Sequence, residues 1–94
     1  MDLVFEWDEE KASRNETKHG VTFEEAKTVF NDPFAITIHD PDQSHEEEPW
    51  LDIGLSAEGR LLVVWYTERS GRIRIIGSRK ATKTEERAYA HERT

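Results

Sequence analysis

The amino-acid sequence predicts an α+β fold in which helices pack on one face of a small, mostly antiparallel sheet. The first observation is helical periodicity near the N-terminus, where Phe23, Ala26 and Phe30 share one face of a helix. The second is a C-terminal half rich in short strands joined by tight turns such as Ser70-Gly71, a pattern typical of hairpins. Together they predict the order β-α-α-β-β-β-β-α, in one domain that spans all 94 residues.

The N-terminal part is predicted to hold one strand and two helices. Residues 2–7 form the strand, and Asp8 then caps a helix over residues 9–19, because its carboxylate can accept hydrogen bonds from the free N–H groups of the first turn. A second helix begins at Thr22, whose hydroxyl opens a capping box. That helix ends at residues 31–33, since the residue before a proline is driven away from helical dihedral angles.

The C-terminal part is predicted to hold four strands and a last helix. The helix starts at the capping box of Thr82 and runs to about His91. A polar, acidic loop over residues 40–49 separates the first two strands, and the spacing of its oxygen and imidazole groups matches no common metal-binding pattern. We therefore predict neither a metal ion nor another cofactor. The four strands are residues 34–39, 50–55, 60–69 and 72–78.

Charge is distributed very unevenly along the chain, whose formal net charge is −7. Residues 1–59 carry 4 Lys and Arg against 16 Asp and Glu, whereas residues 60–94 carry 9 against 4. A basic end on an acidic body indicates an anionic partner for that end. Attraction between the two parts of the folded chain would explain the same pattern.

Composition also narrows the cellular setting. The chain has no cysteine, which rules out disulfides and thiolate metal sites and favours a reducing, cytoplasmic compartment. The N-terminus lacks the basic and apolar regions of a signal peptide. The longest apolar run, residues 61–66, is far shorter than the roughly 20 residues of a membrane span, so no membrane association is predicted.

Several short motifs, in order along nearly the whole chain, resemble the BrnT family of toxins. They include Phe5-Glu6-Trp7-Asp8, Lys18-His19-Gly20-Val21, Phe23-Glu24-Glu25-Ala26, Tyr66-Thr67-Glu68-Arg69 and Arg79-Lys80-Ala81-Thr82. The resemblance implies a RelE-like fold and a ribonuclease that inhibits translation and growth as the toxin of a type II toxin–antitoxin system. It also implies neutralisation by a BrnA-type antitoxin with a ribbon-helix-helix DNA-binding domain. Such a complex holds two copies of each protein and reaches operator DNA only through the antitoxin.

The sequence departs from the family pattern in its last strand. It has Ile76-Gly77-Ser78-Arg79 where family members usually have Ile-Ser-Ala-Arg, so the hydroxyl is shifted by one residue. On a strand, this shift turns the side chain to the opposite face unless a bulge intervenes. Gly77 is a residue that could supply such a bulge.

RNA cleavage without a metal ion, by attack of the ribose 2′-OH on the neighbouring phosphorus, needs cations for the charge of the phosphorane. Arginine suits this task because it is always charged and can donate to two phosphate oxygens at once. The resemblance implies Arg79 as the group that contacts the transition state, and Arg60 and Arg69 as phosphate ligands. Lys80 and Ser78 are further catalytic candidates.

A second set of residues is expected to bind RNA. Strand alternation places Arg72 and Arg74 on one face of the last hairpin, as either a platform for phosphates or an ordinary solvated sheet face. Trp7 is a candidate for stacking on a base, and equally for packing at the start of the first helix. Lys83 completes the set.

The proton carriers of such a reaction are less evident from the sequence. Histidine ordinarily titrates near neutral pH, but His19 lies in the last turn before Gly20, and we favour its explanation by electrostatics at a helix C-terminus. Tyr66 and Tyr89 could donate a proton, although tyrosines more often pack with the hydroxyl outward. Two alternatives stay open. One is a catalytically inactive module that binds a partner protein, and the other is a nucleic-acid-binding regulator that uses the basic hairpin and helix of residues 60–87.

Overall fold

The structure, a computed structural model, describes residues 3–39 and 49–93, so the loop expected at residues 40–49 lies almost wholly outside the described residues. Within them, the predicted order of elements is confirmed. The strands are β1 (Val4–Glu6), β2 (Ile36–His39), β3 (Trp50–Leu55), β4 (Leu61–Arg69) and β5 (Arg72–Lys80). The helices are α1 (Glu9–His19), α2 (Phe23–Lys27), which continues as a 3₁₀ helix over Thr28–Asn31, and α3 (Lys83–Arg93).

Local hydrogen bonds explain where the elements begin and end. The Asp8 carboxylate accepts from two backbone N–H groups in the first turn of α1, and that helix ends at Gly20, which has a left-handed conformation with φ 70°. The Thr22 hydroxyl accepts from the Glu25 N–H and starts α2. The turn between β4 and β5 has positive φ at both residues of Ser70-Gly71, 50° and 79°, as a two-residue hairpin turn requires.

The sheet is mixed, with strand order β1-β5-β4-β3-β2. Three pairings are antiparallel, and β1 lies parallel to β5 at one edge, with Val4 opposite Arg72 and Glu6 opposite Arg74. The prediction of a mostly antiparallel sheet did not include this parallel pairing. The pattern of a short strand indicates which side chains share a face but not which strand lies beside it.

Helices lie on both faces of the sheet, so the expectation that they share one face was wrong. On one face, α2 packs over Leu62 and Val64 of β4. On the other face, Tyr89 of α3 packs with Val63 of β4 and Ile53 of β3. Strand β4 is apolar on both faces, and each face is stabilised by being covered from water.

A bulge interrupts the pairing of β4 with β5. Tyr66 pairs with Ile75, but the preceding residue, Trp65, pairs with Gly77, which leaves Ile76 as the extra residue. The bulge beside Gly77 that the sequence allowed is therefore present. Because side chains alternate along a strand, one extra residue exchanges the faces of all residues that follow it.

Candidate functional site

A surface cleft of about 400 Å³ lies between the last turn of α1 and the C-terminal half of β5. Strand β1 pairs only with residues 72–74 of β5, and α1 packs against β5 as well. The ionisable side chains that line the cleft are two cations and a histidine. The lining residues are Asn15, Lys18, His19, Trp65, Ile76, Gly77, Ser78 and Arg79.

Asn15 ties the two walls of the cleft together. Its Nδ2 donates to the carbonyl oxygen of Val21 at 2.9 Å, and its Oδ1 accepts from the N–H of Ser78 at 3.1 Å. One amide side chain thus joins α1, the loop before α2, and β5. These hydrogen bonds set the spacing between the helix wall and the strand wall.

Arg79 forms the strand wall and is held from three directions. Its guanidinium carbon lies 5.0 Å from the centroid of the Trp65 ring, within the range of a cation–π contact. Two parallel hydrogen bonds join it to the Glu85 carboxylate at 2.8 and 2.9 Å, and a third reaches the carbonyl oxygen of Lys80 at 3.0 Å. The hydrogen bonds of this pair raise the pKa of Arg79 and lower the pKa of Glu85. Arg79 is therefore a fixed cation whose orientation the fold determines.

Arg60 is bonded into the fold rather than directed into the cleft. Its Nε donates to Glu25 Oε2 at 2.9 Å, and its Nη2 donates to Glu25 Oε1 and, at 3.1 Å, to the carbonyl oxygen of Gly20. The buried Glu25 also accepts from the Ser56 hydroxyl at 2.7 Å. The hydrogen bond from Arg60 lowers the pKa of Glu25, with a smaller contribution from the charge of Lys80. The predicted phosphate ligand is thus a brace that holds the end of α1.

The bulge separates the two neighbouring candidates on β5. Arg79 reaches the face that carries Trp65, whereas Ser78 faces the interior with 2% of its surface exposed. The Ser78 hydroxyl donates to the carbonyl oxygen of Val63 at 2.9 Å, a bond within the core of the sheet. The bulge therefore does not bring the displaced hydroxyl into the cleft, and it is Gly77 that shares a face with Arg79. Lys80 is exposed at the end of the strand.

The arginines at the other end of the hairpin form a separate group. Arg69 and Arg72 lie opposite each other beside the turn. Arg72 and Arg74 both contact the Glu6 carboxylate, at 3.5 and 3.2 Å. Arg79 follows Arg72 by seven positions along β5, which corresponds to roughly 20 Å of strand. The predicted phosphate platform is therefore remote from the cleft, and a carboxylate offsets part of its charge.

The other two predicted RNA-binding residues also lie outside the cleft. The Trp7 indole packs edge to face on Phe23, with ring centroids 5.9 Å apart, and its Nε1 donates to Glu9 at 2.9 Å. Glu16 and Glu24 line the same depression, so its charge repels phosphate. This arrangement favours the packing interpretation of Trp7. Lys83 is exposed at the first residue of α3.

Three contributors to the cleft had no clear signal in the sequence. Trp65 belongs to an apolar run that predicted only a buried strand, and Asn15 is a polar residue in a helix. Glu85 was expected as the carboxylate of a capping box, and it does accept from the Thr82 N–H at 2.8 Å. Its bidentate pair with Arg79 is an additional role. His19 was assigned to the helix end, and it both ends α1 and lines the cleft.

Residues 3–39 and 49–93 contain no group of three His, Asp or Glu side chains arranged to hold a metal ion. Among the same residues, no helix has both the length and the apolar composition that crossing a membrane requires.

The fold and the cleft define a class of protein, a small α+β protein whose surface cleft carries fixed cations suited to an anionic ligand. A family model for the ribonuclease toxin BrnT of type II toxin–antitoxin systems matches residues 7–85. The chain therefore belongs to the BrnT family of ribonuclease toxins, as its sequence motifs predicted.

A solved structure supports the same fold. The chain is similar to the ribonuclease toxin BrnT of Brucella abortus, known from a crystal structure at 1.1 Å resolution, with a TM-score of 0.66 and 19% sequence identity. The alignment covers 87% of this chain and 100% of that one. At this identity the likeness shows a shared fold. A comparison with curated protein sequences found no match.

Proposed function

We propose that this chain is an active endoribonuclease toxin that cleaves RNA without a metal ion. The observation that carries the proposal is Arg79, a permanently charged guanidinium fixed over Trp65 in a cleft large enough for a nucleotide phosphate. Both oxygens of the nearest carboxylate, Glu85, are bonded to Arg79. The cleft thus offers donors for phosphate oxygens rather than ligands for a metal ion.

The proposed reaction is an internal transfer at phosphorus. The 2′ oxygen of the ribose forms a bond to the adjacent phosphorus, and the bond from phosphorus to the 5′ oxygen breaks. The 2′ hydroxyl loses its proton and the 5′ oxygen gains one, so the products are a 2′,3′-cyclic phosphate and a 5′ hydroxyl. Negative charge grows on the non-bridging oxygens in between, and Arg79 stabilises that charge.

Arg79 keeps N–H donors for the phosphate oxygens although it is paired with Glu85. A guanidinium has five N–H donors, and among the described residues three of them are directed at acceptors, the two Glu85 oxygens and the Lys80 carbonyl. Two donors are left for a phosphate. The Glu85 pair fixes the plane of the guanidinium, so that little reorganisation is needed when substrate binds.

We infer the remaining properties from the family. The fold is RelE-like, the toxin acts in the cytoplasm, and a BrnA-type ribbon-helix-helix antitoxin neutralises it in a two-plus-two complex. The toxin reaches operator DNA through that antitoxin. The pairing of Arg72 and Arg74 with Glu6 argues against a regulator that binds nucleic acid through the hairpin alone.

The test is cleavage of a labelled RNA by the purified protein in the presence of EDTA, with and without added ribosomes. We expect 2′,3′-cyclic phosphate ends, and Arg79→Ala should lower the rate by at least about 100-fold, the usual effect of removing one donor to a developing oxyanion. Arg87→Ala is the matched control, because Arg87 is an exposed arginine of α3 that does not line the cleft. A wild-type protein that cleaves in neither condition but binds a partner protein would favour the inactive binding module. Equal rates for Arg79→Ala and wild type would remove the assigned role.

A further inference from the structure

We propose that His19 is the general acid of this cleavage, the group that gives its proton to the departing 5′ oxygen. The inference rests on the proposed ribonuclease activity and adds a residue to it. His19 lines the same cleft as Arg79, on the helix wall that faces the strand wall. Both side chains thus border the space in which we propose that the phosphate binds.

The cleft offers a single group with suitable acidity. Of the residues that line it, Lys18 and Arg79 carry cations that hold their protons far above neutral pH, and the others apart from His19 do not ionise near neutrality. Efficient proton transfer needs a group whose pKa lies near the working pH, which is ordinarily a histidine. Cations can stabilise the charge of the phosphorane, but only a proton donor neutralises the 5′ oxygen as it leaves.

The fold fixes the backbone on both sides of His19. One turn earlier, Asn15 is bonded to Val21 and Ser78. Directly after His19, the Gly20 carbonyl accepts from Arg60 at 3.1 Å, and the Gly20 N–H donates to the Glu16 carbonyl at 2.8 Å. The backbone of His19 is therefore held by the same bonds that set the width of the cleft.

The imidazole itself is not committed to the fold. It is half-buried, and no hydrogen bond, ion pair or ring contact engages it among the residues that the structure describes. By contrast, Arg79 is bonded to Glu85, and Arg60 to Glu25. The nitrogens of the ring are therefore open to a substrate oxygen, while the backbone that carries the ring is held in place.

Charged groups around His19 come from its own helix and from four other parts of the fold. Lys18 is on its own helix, and Arg79 on β5 is paired with Glu85 of α3. Arg60, at the start of β4, is paired with Glu25 of α2, and the charge of Lys80 acts on the same carboxyl. The set consists of His19, Lys18, Arg79, Arg60, Lys80, Glu85 and Glu25. Of these groups only Lys18 and Arg79 line the cleft with His19, against one carboxylate bonded there, Glu85, and this excess of positive charge attracts the phosphate on which His19 acts.

The proposed proton transfers balance. Protonated His19 donates to the 5′ oxygen as the bond from phosphorus to that oxygen breaks, and it is left as neutral imidazole. The 2′ hydroxyl gives its proton to water. Solvent then protonates His19 again after the product leaves.

The experiment compares two substrates and three proteins. The substrates are a ribodinucleotide and uridine 3′-nitrophenyl phosphate, whose leaving group departs without a proton. His19→Gln should lower kcat/KM on the dinucleotide by about 100-fold or more, the usual contribution of a general acid, and change it less than about tenfold on the nitrophenyl ester, which needs no acid. His91→Gln is the matched histidine control, because His91 is on α3 and does not line the cleft. It should behave as wild type on both substrates.

Two further readouts separate catalysis from a structural role at the helix end. His19→Arg keeps a positive charge at the C-terminus of α1, so it should keep the stability of the wild type yet show the kinetic defect of His19→Gln. The wild-type rate should fall as pH rises, because a general acid must hold its proton in order to donate it, and this fall should vanish in His19→Gln.

The outcomes distinguish the two proposals. A wild type that cleaves neither substrate refutes the proposed activity and, with it, this inference. If the wild type cleaves both substrates and His19→Gln loses activity equally on both, or loses none, only the assignment of His19 is refuted. Recovery of dinucleotide cleavage in His19→Arg would also refute it, because helix-end charge would then explain the effect.

Discussion

Replacing Arg60 with alanine should destabilise the fold by about 2–3 kcal/mol. Arg60 supplies both hydrogen-bond donors of the Glu25 pair, and only 3% of the Glu25 side chain is exposed. Removing one partner of a fully buried ion pair costs about 3–5 kcal/mol, since the other charge is left without compensation. The Arg60 side chain is 32% exposed, and water therefore screens part of the interaction and lowers the expected cost. For a domain of this size the melting temperature should fall by roughly 10–20 °C.

The effect of Arg60→Ala should depend on pH in a defined direction. In the wild type, the hydrogen bond from Arg60 lowers the pKa of Glu25, so this stabilisation is present above the ordinary carboxyl range and is lost as pH falls through the lowered value. In the variant, burial raises the pKa of Glu25, and only the Ser56 hydroxyl and the charge of Lys80 still lower it. The destabilisation by the unpaired Glu25 charge is then largest at neutral pH, and it decreases on acidification because Glu25 becomes protonated. The difference between the two proteins should shrink from pH 7 towards pH 4.

Urea unfolding followed by circular dichroism at several pH values measures this difference. Arg72→Ala is the matched control, because Arg72 is 61% exposed beside Glu6 and should cost at most about 0.5 kcal/mol. The double variant Arg60→Ala with Glu25→Gln should recover stability at neutral pH relative to Arg60→Ala alone. A loss of stability in Arg60→Ala below about 0.5 kcal/mol, or a loss that does not change with pH, would refute the structural role assigned to Arg60. Loss of RNA cleavage beyond the loss of folded protein would instead indicate that Arg60 contacts phosphate.

Three other substitutions test separate parts of the structure. Asp52→Asn should stabilise the protein by roughly 1 kcal/mol at neutral pH, because burial raises the pKa of Asp52 and the amide oxygen can still accept from Tyr66. The gain should shrink as the pH falls and Asp52 takes up a proton, and urea unfolding at neutral and acidic pH checks it. Gly54→Ala should lower the free energy of unfolding by about 1–3 kcal/mol in the same assay, since the added Cβ would lie 2.8 Å from Val29 Cγ1. An unchanged urea midpoint would contradict that close contact. Gly77→Ser should change the free energy of unfolding by less than about 0.5 kcal/mol, because the nearest atoms lie 4.0 Å from the added Cβ. A large loss of stability would mean that the bulge requires glycine.

Sequence patterns predicted the elements of this fold because element boundaries depend on local hydrogen bonds. The caps at Asp8 and Thr22 and the turn at Ser70-Gly71 each involve neighbouring residues only, and each is present. The parallel place of β1 beside β5 and the position of α3 on the second face depend on contacts between distant parts of the chain. A run that is apolar on both faces, residues 61–66, was the one local sign that both faces of the sheet are covered.

The candidate site was harder to predict because its cations look alike in the sequence. Nine Lys and Arg follow residue 59, and nothing local indicates which of them a distant carboxylate holds. The acidic part of the chain provides two of these carboxylates: Glu6 pairs with two hairpin arginines and Glu25 with Arg60. These pairs support the explanation by attraction within the fold, and the explanation by an anionic partner stays a prediction. Attraction within the fold accounts for these arginines, while Arg79 remains at the cleft.

The bulge at Ile76 determines which side chains meet in that cleft. Without the extra residue, strand alternation would turn Arg79 to the face packed under α2, away from the Trp65 ring. With it, Arg79 reaches the cleft and Ser78 is turned into the core, so the position beside Arg79 belongs to Gly77. Where the family usually has a serine at that position, this chain has no side chain, and the proposed chemistry must come from the cleft's other groups. This absence is why we propose that the proton comes from the helix wall opposite, which His19 lines.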